Sequence, residues 1–146
     1  DTSDNTVHQL RDLIREQFAD QGQERVTLLL HSFGFKHGVP REVDFLFDVR
    51  CLPNPHWHPE LRPLTGRDQA VKDFLDAQTD AVQMRDDLIR FLDRWIPRFA
   101  ADGRTYLTIA IGCTGGQHRS VYMTEIIAEH LRSRGIKTLL RHRELP

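Results

Sequence analysis

The sequence predicts an α/β fold, a mixed sheet with flanking helices, and three observations lead to this prediction. Short apolar runs rich in leucine and β-branched residues alternate with stretches in which apolar residues recur at helical spacing. A Gly-rich turn follows the most regular of these runs and leads directly into a helical pattern. This alternation is typical of a sheet layered against helices. The length of 146 residues fits one domain, residues 1–146.

The N-terminal third is predicted to hold one helix and two strands. Apolar residues recur at helical spacing behind a polar cluster that can cap a helix, at Val7, Leu10, Ile14 and Phe18. Residues 7–19 are therefore predicted as a helix. Residues 25–33 and 43–50 are predicted as strands, and "GFKHGVPRE" breaks the chain between them. No helix separates these strands, so a simple parallel crossover is less expected for this pair than for the later one.

The middle of the chain is predicted as a loop followed by two helices. Four prolines fall within residues 51–66, which predicts an irregular loop, and Trp57 with two leucines indicates that it is packed. Residues 68–78 are predicted as a short helix. A longer helix follows, with its apolar stripe at Leu88, Ile89, Leu92, Trp95, Ile96 and Phe99.

The C-terminal third is predicted as a strand, helix, strand unit. "RTYLTIAIG", residues 104–112, is the clearest strand pattern in the chain. The helix covers residues 119–135 and ends at Gly135, which we expect at the C′ position. Residues 136–145 are predicted as the closing strand. The two strands of this unit are expected to be parallel and joined by a right-handed crossover.

Composition limits the function classes. A formal net charge of -1 with 28% charged residues excludes a globally basic nucleic-acid binder, so any nucleic-acid contact must come from a local patch. No apolar run approaches the roughly 18 residues of a membrane helix and no signal peptide pattern is present, so we expect a cytoplasmic protein without membrane contact. Cys51 and Cys113 lack CxxC spacing and are predicted as reduced thiols. The chain lacks an initiator Met, and we expect it to be a piece of a longer protein.

The turn in "IAIGCTGGQHRS", residues 109–120, is the main candidate site. Free backbone amides and the positive end of a helix dipole converge where a Gly-rich turn opens a helix, which favours an anion. Amides are expected from Thr114, Gly115, Gly116 and Gln117. Arg119 adds a guanidinium that can bind phosphate oxygens. The GxxxxGK[ST] spacing of a Walker A loop is missing.

The same turn supports a catalytic alternative. Cys113, Gly116, Arg119 and Ser120 match the pattern C-x-x-G-x-x-R-[ST], which resembles the signature loop of the cysteine-dependent phosphatases. A thiol at a helix N-terminus beside an arginine is activated as a nucleophile. The histidine that usually precedes that cysteine is Gly112 here. The alternative to both readings is that Cys113 is a small buried residue at a strand end.

Two further groups of polar residues are candidates. Asp48 and Arg50 end a predicted strand and can reach the same crevice, where Asp48 could accept a hydrogen bond from a ligand hydroxyl or amine. The alternative is that Asp48 pairs with Arg50 or caps the loop. His56 and His58 could join Cys113 or His118 at a metal, but alternate residues of an extended loop point to opposite sides, so no metal site is predicted.

Five ordered blocks of the sequence resemble one family. "HSFGFKHGVP", "FDVRCLPNPHW", "LRPLTGRD", "TIAIGCTGGQHRSVY" and "RSRG" with "RHREL" look like the C-terminal domain of the RapZ family, the RNase adapter proteins. The resemblance spans nearly the whole chain. It implies a fold similar to a phosphofructokinase subdomain, a homo-oligomer, and a missing N-terminal P-loop domain that binds a nucleotide such as ATP or GTP. No cofactor is expected in this domain itself.

The resemblance also implies a ligand and partners. It implies a sensor, not an enzyme, that binds glucosamine-6-phosphate or a related sugar phosphate and small regulatory RNA, and that presents RNA to RNase E to control amino-sugar synthesis. By the resemblance, Thr114, Gly115 and Arg119 hold the phosphate while Asp48 and His56 face the sugar. The position of the turn adds Cys113, Gly116 and Arg50 to this set.

The RNA-binding part of the resemblance is weaker. The chain ends "RHRELP", without the Lys/Arg-rich extreme C-terminus of RNA-binding members, and phosphate neutralisation dominates affinity for RNA. A smaller basic patch remains as the candidate, formed by Arg132, Arg134, Lys137, Arg141, His142 and Arg143. An adapter surface that acts without a small ligand is a further alternative.

Overall fold

The computed structural model describes residues 25–146 and confirms the α/β fold with flanking helices. The strands are β1 Thr27–Gly34, β2 Phe45–Asp48, β3 Tyr106–Cys113 and β4 Thr138–His142. The helices are α1 Gln69–Asp76, α2 Thr79–Ala101 and α3 Arg119–Ser133. Short 3-10 turns cover Phe35–His37 and Pro55–Trp57. Each predicted element within this range is present with shifted ends, and the predicted helix 7–19 lies outside the described residues.

The sheet of the described residues is parallel throughout, in the order β2-β3-β1-β4, so the expectation of a mixed sheet is wrong. The strands β1 and β2 are not neighbours, because β3 lies between them. The strand β1 ends at Gly34, opposite Cys113 of β3, and β2 begins at Phe45, opposite Ile109 of β3. The connection therefore runs back along the strands by about 13 Å and crosses two strand spacings, about 10 Å. The ten residues 35–44 cover this distance without an α-helix.

The helices α1, α2 and α3 form one layer on one face of the sheet. Alternate strand residues point to this layer and are almost fully buried, at Leu28, Leu30, Leu107, Ile109 and Ile111. The helix α3 packs across β1, β3 and β4 and buries Ile127 and Leu131 against them. Phe45 contacts Phe91 and Phe99 of α2 edge to face, which attaches the edge strand β2 to the same layer.

The last helix ends as the sequence predicts. Gly135 has φ 78°, a left-handed conformation, and follows the C-cap residue Arg134. The amide of Ile136 donates to the carbonyl of Leu131 at 3.0 Å, and that of Gly135 to the carbonyl of Arg132 at 3.0 Å. These two bonds form a Schellman motif, which confirms Gly135 at C′. The strands β3 and β4 of this unit are parallel with β1 between them, whereas the right-handed crossover stays a prediction.

Candidate anion-binding site

A small polar cavity of about 160 Å³ lies at the carboxyl end of the sheet. Its walls come from the loops that follow β1, β2 and β3, as expected where parallel strands end at one edge. The lining residues are Lys36, Asn54, His56, Cys113, Thr114, Gly115, Gln117, His118 and Arg119. The Gly-rich turn is therefore one wall of the cavity.

The turn is held in place by close backbone packing against the end of β1. Gly116 has φ 78°, and a Cβ there would lie 2.6 Å from the amide nitrogen of Gly34. A Cβ on Gly34 would lie 2.5 Å from the carbonyl carbon of Gly115. The amide of Lys36 donates to the carbonyl of Thr114 at 3.2 Å. Because a side chain would separate these backbones, glycine at 34 and 116 sets the shape of the turn.

The amides of the turn are available to a ligand. Within residues 25–146, no protein acceptor pairs with the backbone amides of residues 114–118. These residues directly precede α3, which begins at Arg119, so the positive end of that helix faces the turn. Donors and dipole together favour an anion in the cavity.

Arg119 joins two loops and keeps one donor unused. Its side chain is almost fully buried, with the residue 4% exposed, and its Nη1 donates to the carbonyls of Arg50 at 2.7 Å and Leu52 at 3.0 Å. Its Nη2 lies 3.4 Å from Oγ1 of Thr114. Its Nε is buried and has no partner among the described residues. A buried donor without a partner costs about 1–3 kcal/mol, so an acceptor in the cavity would be stabilising.

Two histidines also line the cavity. His118 is buried and its Nε2 lies 3.2 Å from the carbonyl of Leu61. Burial lowers the pKa of His118, outweighing the hydrogen bonds from backbone carbonyls that raise it. The ring of His56 is exposed and its centroid lies 6.4 Å from that of His118. His58 instead packs on Phe74. His56 and His58 belong to the 3-10 turn Pro55–Trp57 and its C-cap, and not to an extended loop as expected.

Comparison with known proteins matches residues 26–146 to the family model of the RapZ C-terminal domain. This chain belongs to the RapZ family. A nucleotide-binding protein of Nitrosococcus oceani is 56% identical over 145 residues, which are 99% of this chain and 52% of that protein. A nucleotide-binding protein of Methylococcus capsulatus is 53% identical over 146 residues, covering 100% of this chain and 50% of that protein. The RapZ-family chain spans about half the length of the curated relatives it matches.

Five of the predicted ligand-binding residues line the cavity of this RapZ-family domain, and three do not. His56, Cys113, Thr114, Gly115 and Arg119 are in its walls. Asp48 and Arg50 are absent from these walls, because they form an exposed bidentate pair at 2.7 Å. The guanidinium of Arg50 also stacks 3.8 Å from the ring centroid of Phe35. Its hydrogen bond to Asp48 lowers the pKa of that carboxyl. Gly116 is not in the lining of the cavity and packs against the backbone of Gly34 instead.

Sequence reasoning missed two basic or polar residues of the wall. Lys36 and Asn54 follow the ends of β1 and β2 and line the cavity. The signal that could have found them is their position, since each lies at the carboxyl end of a strand next to the turn. Lys36 is exposed and still lines the cavity.

The RNA-binding candidates do not form one free basic surface. The prediction for His142 is wrong, because its side chain is buried and bonds to Ser32 at 2.7 Å and Glu125 at 2.9 Å. Arg143 donates to Gly38 at 2.6 Å and pairs with Glu144. Three candidates are exposed, Arg134, Lys137 and Arg141, and Arg134 pairs with Asp93 at 2.9 Å. Arg132 is exposed as well, but its guanidinium donates to the carbonyl of Thr138.

Metal-binding groups and membrane-spanning helices were the other features sought in the described part of this RapZ-family chain. Between residues 25 and 146, no three His, Cys, Asp or Glu side chains are grouped so that they could hold a metal ion. In the same range, none of the helices is long and apolar enough to cross a membrane. Cys51 is exposed and Cys113 buried, and both are free thiols, as predicted.

Proposed function

We propose that this RapZ-family chain is a metabolite-sensing domain that binds a phosphorylated amino sugar, glucosamine-6-phosphate, and that it regulates without catalysing a reaction. The observation that carries the proposal is the buried, unpartnered Nε of Arg119 in a cavity whose turn offers free amides. A phosphate accepts several hydrogen bonds at once and carries the negative charge that the start of α3 favours.

The sugar end of the ligand is proposed to lie toward the outer wall of the cavity. Asn54 and His56 supply polar groups there that can bond to hydroxyls. The ammonium group of an amino sugar is proposed to approach Asp48, a carboxylate whose pKa the hydrogen bond from Arg50 lowers further below neutral pH. Asp48 must then exchange part of its pairing with Arg50 for the ammonium. The phosphate is therefore better supported by the geometry than the amine.

Calorimetric titration tests this proposal. We expect glucosamine-6-phosphate to bind more tightly than glucose-6-phosphate, inorganic phosphate to bind weakly, and glucosamine to give no heat. Thr114→Ala and Lys36→Gln should weaken binding, since both residues line the cavity and are exposed. Lys72→Gln is the matched control, because that lysine lies in a different cavity. Silence of all four ligands would refute the sensor.

The regulatory partners are part of the same proposal. By family membership, the domain would present a small regulatory RNA to RNase E as a homo-oligomer in the cytoplasm, and a nucleotide would bind in the other half of the protein. The relatives named nucleotide-binding proteins support the nucleotide. The exposed Arg134, Lys137 and Arg141 are the remaining candidates for RNA phosphates. RNA binding should weaken steeply with salt, and binding that is flat in ionic strength would contradict this role.

A cysteine-dependent phosphatase is the second candidate, and one contact favours it. The Sγ of Cys113 lies 3.1 Å from Oγ of Ser120, as the C-x-x-G-x-x-R-S pattern suggests for a stabilised thiolate. Against it, the Nη1 of Arg119 donates to two backbone carbonyls, and among residues 25–146 no carboxylate lines the cavity to protonate a leaving group. Hydrolysis of an aryl phosphate that Cys113→Ser abolishes would establish this function. Inactivity from acidic to neutral pH would exclude it.

A further inference from the structure

The segment that follows β4 contacts the loops that form the anion-binding cavity. Arg143 directly follows β4, and its backbone amide donates to the carbonyl of Ser32 near the end of β1 at 3.1 Å. The amide of Leu145 donates to the carbonyl of His142 at 3.3 Å, so the chain turns at residues 143 and 144. This turn brings the side chains of both residues to the loop 34–38, which contributes Lys36 to the cavity wall.

Glu144 bonds at the point where β1 and the Gly-rich turn meet. Its Oε2 accepts a hydrogen bond from the backbone amide of Gly34 at 2.8 Å, and its side chain is 12% exposed. A Cβ on Gly116 would lie 2.5 Å from Cγ of Glu144, so the same side chain also packs against the turn. Burial raises the pKa of Glu144, but the hydrogen bonds from the Gly34 amide and from Arg143 outweigh it and lower that pKa. These donors therefore stabilise the carboxylate where it stands.

Arg143 holds both ends of the loop that carries Lys36. Its Nη2 donates to the carbonyl of Gly38 at 2.6 Å and to that of Gly34 at 3.3 Å. Its Nε donates to the carboxylate of Glu144 at 2.9 Å, which joins the two side chains into one unit. The bonds from this unit lie on either side of Lys36 in the sequence. The backbone that presents the lysine to the cavity is therefore fixed from outside the cavity.

We infer that Glu144 and Arg143 are positioning residues of the anion-binding site, which hold Lys36 and the Gly-rich turn at the separation that a bound phosphate requires. The inference rests on the proposed function, since it concerns the same cavity. Neither residue is in the lining of the cavity, so neither is expected to touch the ligand. Lys36 is exposed, and ordering its loop only when the ligand arrives would cost conformational entropy. A loop that is held in advance avoids this cost and binds more tightly.

The sign of one substitution separates positioning from charge. Glu144 is an anion beside a site for anions, so an effect of its charge alone would make Glu144→Ala bind phosphate more tightly. Loss of positioning has the opposite sign. We expect Glu144→Ala to weaken the binding of glucosamine-6-phosphate and of inorganic phosphate by about tenfold, a change that the loss of one hydrogen bond to a charged group can produce. Glu144→Gln should keep most of the affinity, because its side-chain carbonyl still accepts from Gly34.

Calorimetric titration of the full chain with both ligands tests the inference, and a double variant distinguishes positioning from general destabilisation. In Glu144→Ala/Lys36→Gln the two losses of affinity should be less than additive, because Lys36 is already displaced once Glu144 is removed. Gly135→Ala controls for lost stability, since a Cβ there meets nothing within 4 Å. Glu129→Ala is the matched carboxylate control, because that residue lines a different cavity. Both controls should bind as the unaltered chain does.

The other outcomes overturn the inference. Equal affinity in Glu144→Ala and in the unaltered chain would show that this residue positions nothing, and tighter binding would show that it acts through its charge. Additive losses in the double variant would show that it acts independently of Lys36. An unaltered chain that binds inorganic phosphate without preferring glucosamine-6-phosphate would refute the proposed sugar sensor and leave these comparisons intact. Silence of both ligands would refute the proposed function and this inference together.

Discussion

The close packing of the Gly-rich turn predicts the effect of one added methyl group at Gly116. Gly116 and Gly135 both have φ 78°, so alanine at either position is strained by about 1–2 kcal/mol. They differ in their surroundings. A Cβ at Gly135 meets nothing within 4 Å, whereas one at Gly116 lies 2.6 Å from the amide nitrogen of Gly34 and 2.8 Å from the carbonyl carbon of Phe33.

The nearest atom to a Cβ on Gly116 is Cγ of Glu144 at 2.5 Å, in a side chain that can move, but the other two close atoms belong to the backbone, so the turn and the end of β1 must separate. Overpacking of this kind costs about 1–3 kcal/mol beyond the strain. We therefore expect Gly135→Ala to lower the free energy of unfolding by about 1–2 kcal/mol and Gly116→Ala by about 2–5 kcal/mol. The displaced turn should also lose its affinity for phosphate, while Gly135→Ala keeps it.

Urea unfolding of both variants gives the stabilities, and calorimetry with inorganic phosphate gives the affinities. Linear extrapolation with a common slope is needed, because a changed slope would indicate a different unfolded state. Equal losses of stability in the two variants would refute the argument that backbone contact with β1 sets the turn. Unchanged phosphate affinity in Gly116→Ala would refute the claim that this packing positions the amides.

Three further predictions concern burial and charge. Burial lowers the pKa of His31 and of His118, so the folded chain binds these protons more weakly than the unfolded chain, and the free energy of unfolding should fall as pH drops below about 6.5. Thermal melts of His118→Gln should show a shallower fall, and an unchanged fall would contradict the role of His118. Leu30→Ala should cost about 2–5 kcal/mol in urea unfolding, because the residue is 1% exposed. Arg50→Ala should leave the affinity for phosphate, measured by calorimetry, unchanged, since its side chain pairs with Asp48 outside the cavity. A loss of affinity would show that Arg50 contributes to phosphate binding.

The elements of the fold were predictable because their signals are local. The alternation of apolar residues along Tyr106–Cys113 and the glycine after α3 depend on neighbours within a few positions. The order of the strands is not a local property. Predicting that β3 lies between β1 and β2 requires knowing that residues 35–44 cross two strand spacings, and nothing within "GFKHGVPRE" specifies the distance that it spans.

The same distinction explains the outcome at the site. The turn between β3 and α3 was predictable because its signal is local: a regular strand pattern stops at glycines and a helical pattern follows at once. Asp48 and Arg50 were predicted at the site only because they follow a strand. The two side chains lie two residues apart and instead bond to each other. His142 was predicted to be part of a basic surface. In β4 it lies opposite Ser32 of β1, and this register points its side chain into the interior.

Arg119 connects the Gly-rich turn to a loop that is distant in the sequence. Its place in the turn follows from the sequence pattern, but its bonds to the carbonyls of Arg50 and Leu52 depend on a loop 67 residues earlier in the chain. Two of its donor contacts hold that loop, so the guanidinium fixes the wall of the cavity while its Nε has no partner within residues 25–146. Arg119→Ala would therefore lose stability and binding together. Thr114 and Lys36, which line the cavity from exposed positions, are the substitutions that separate ligand recognition from folding.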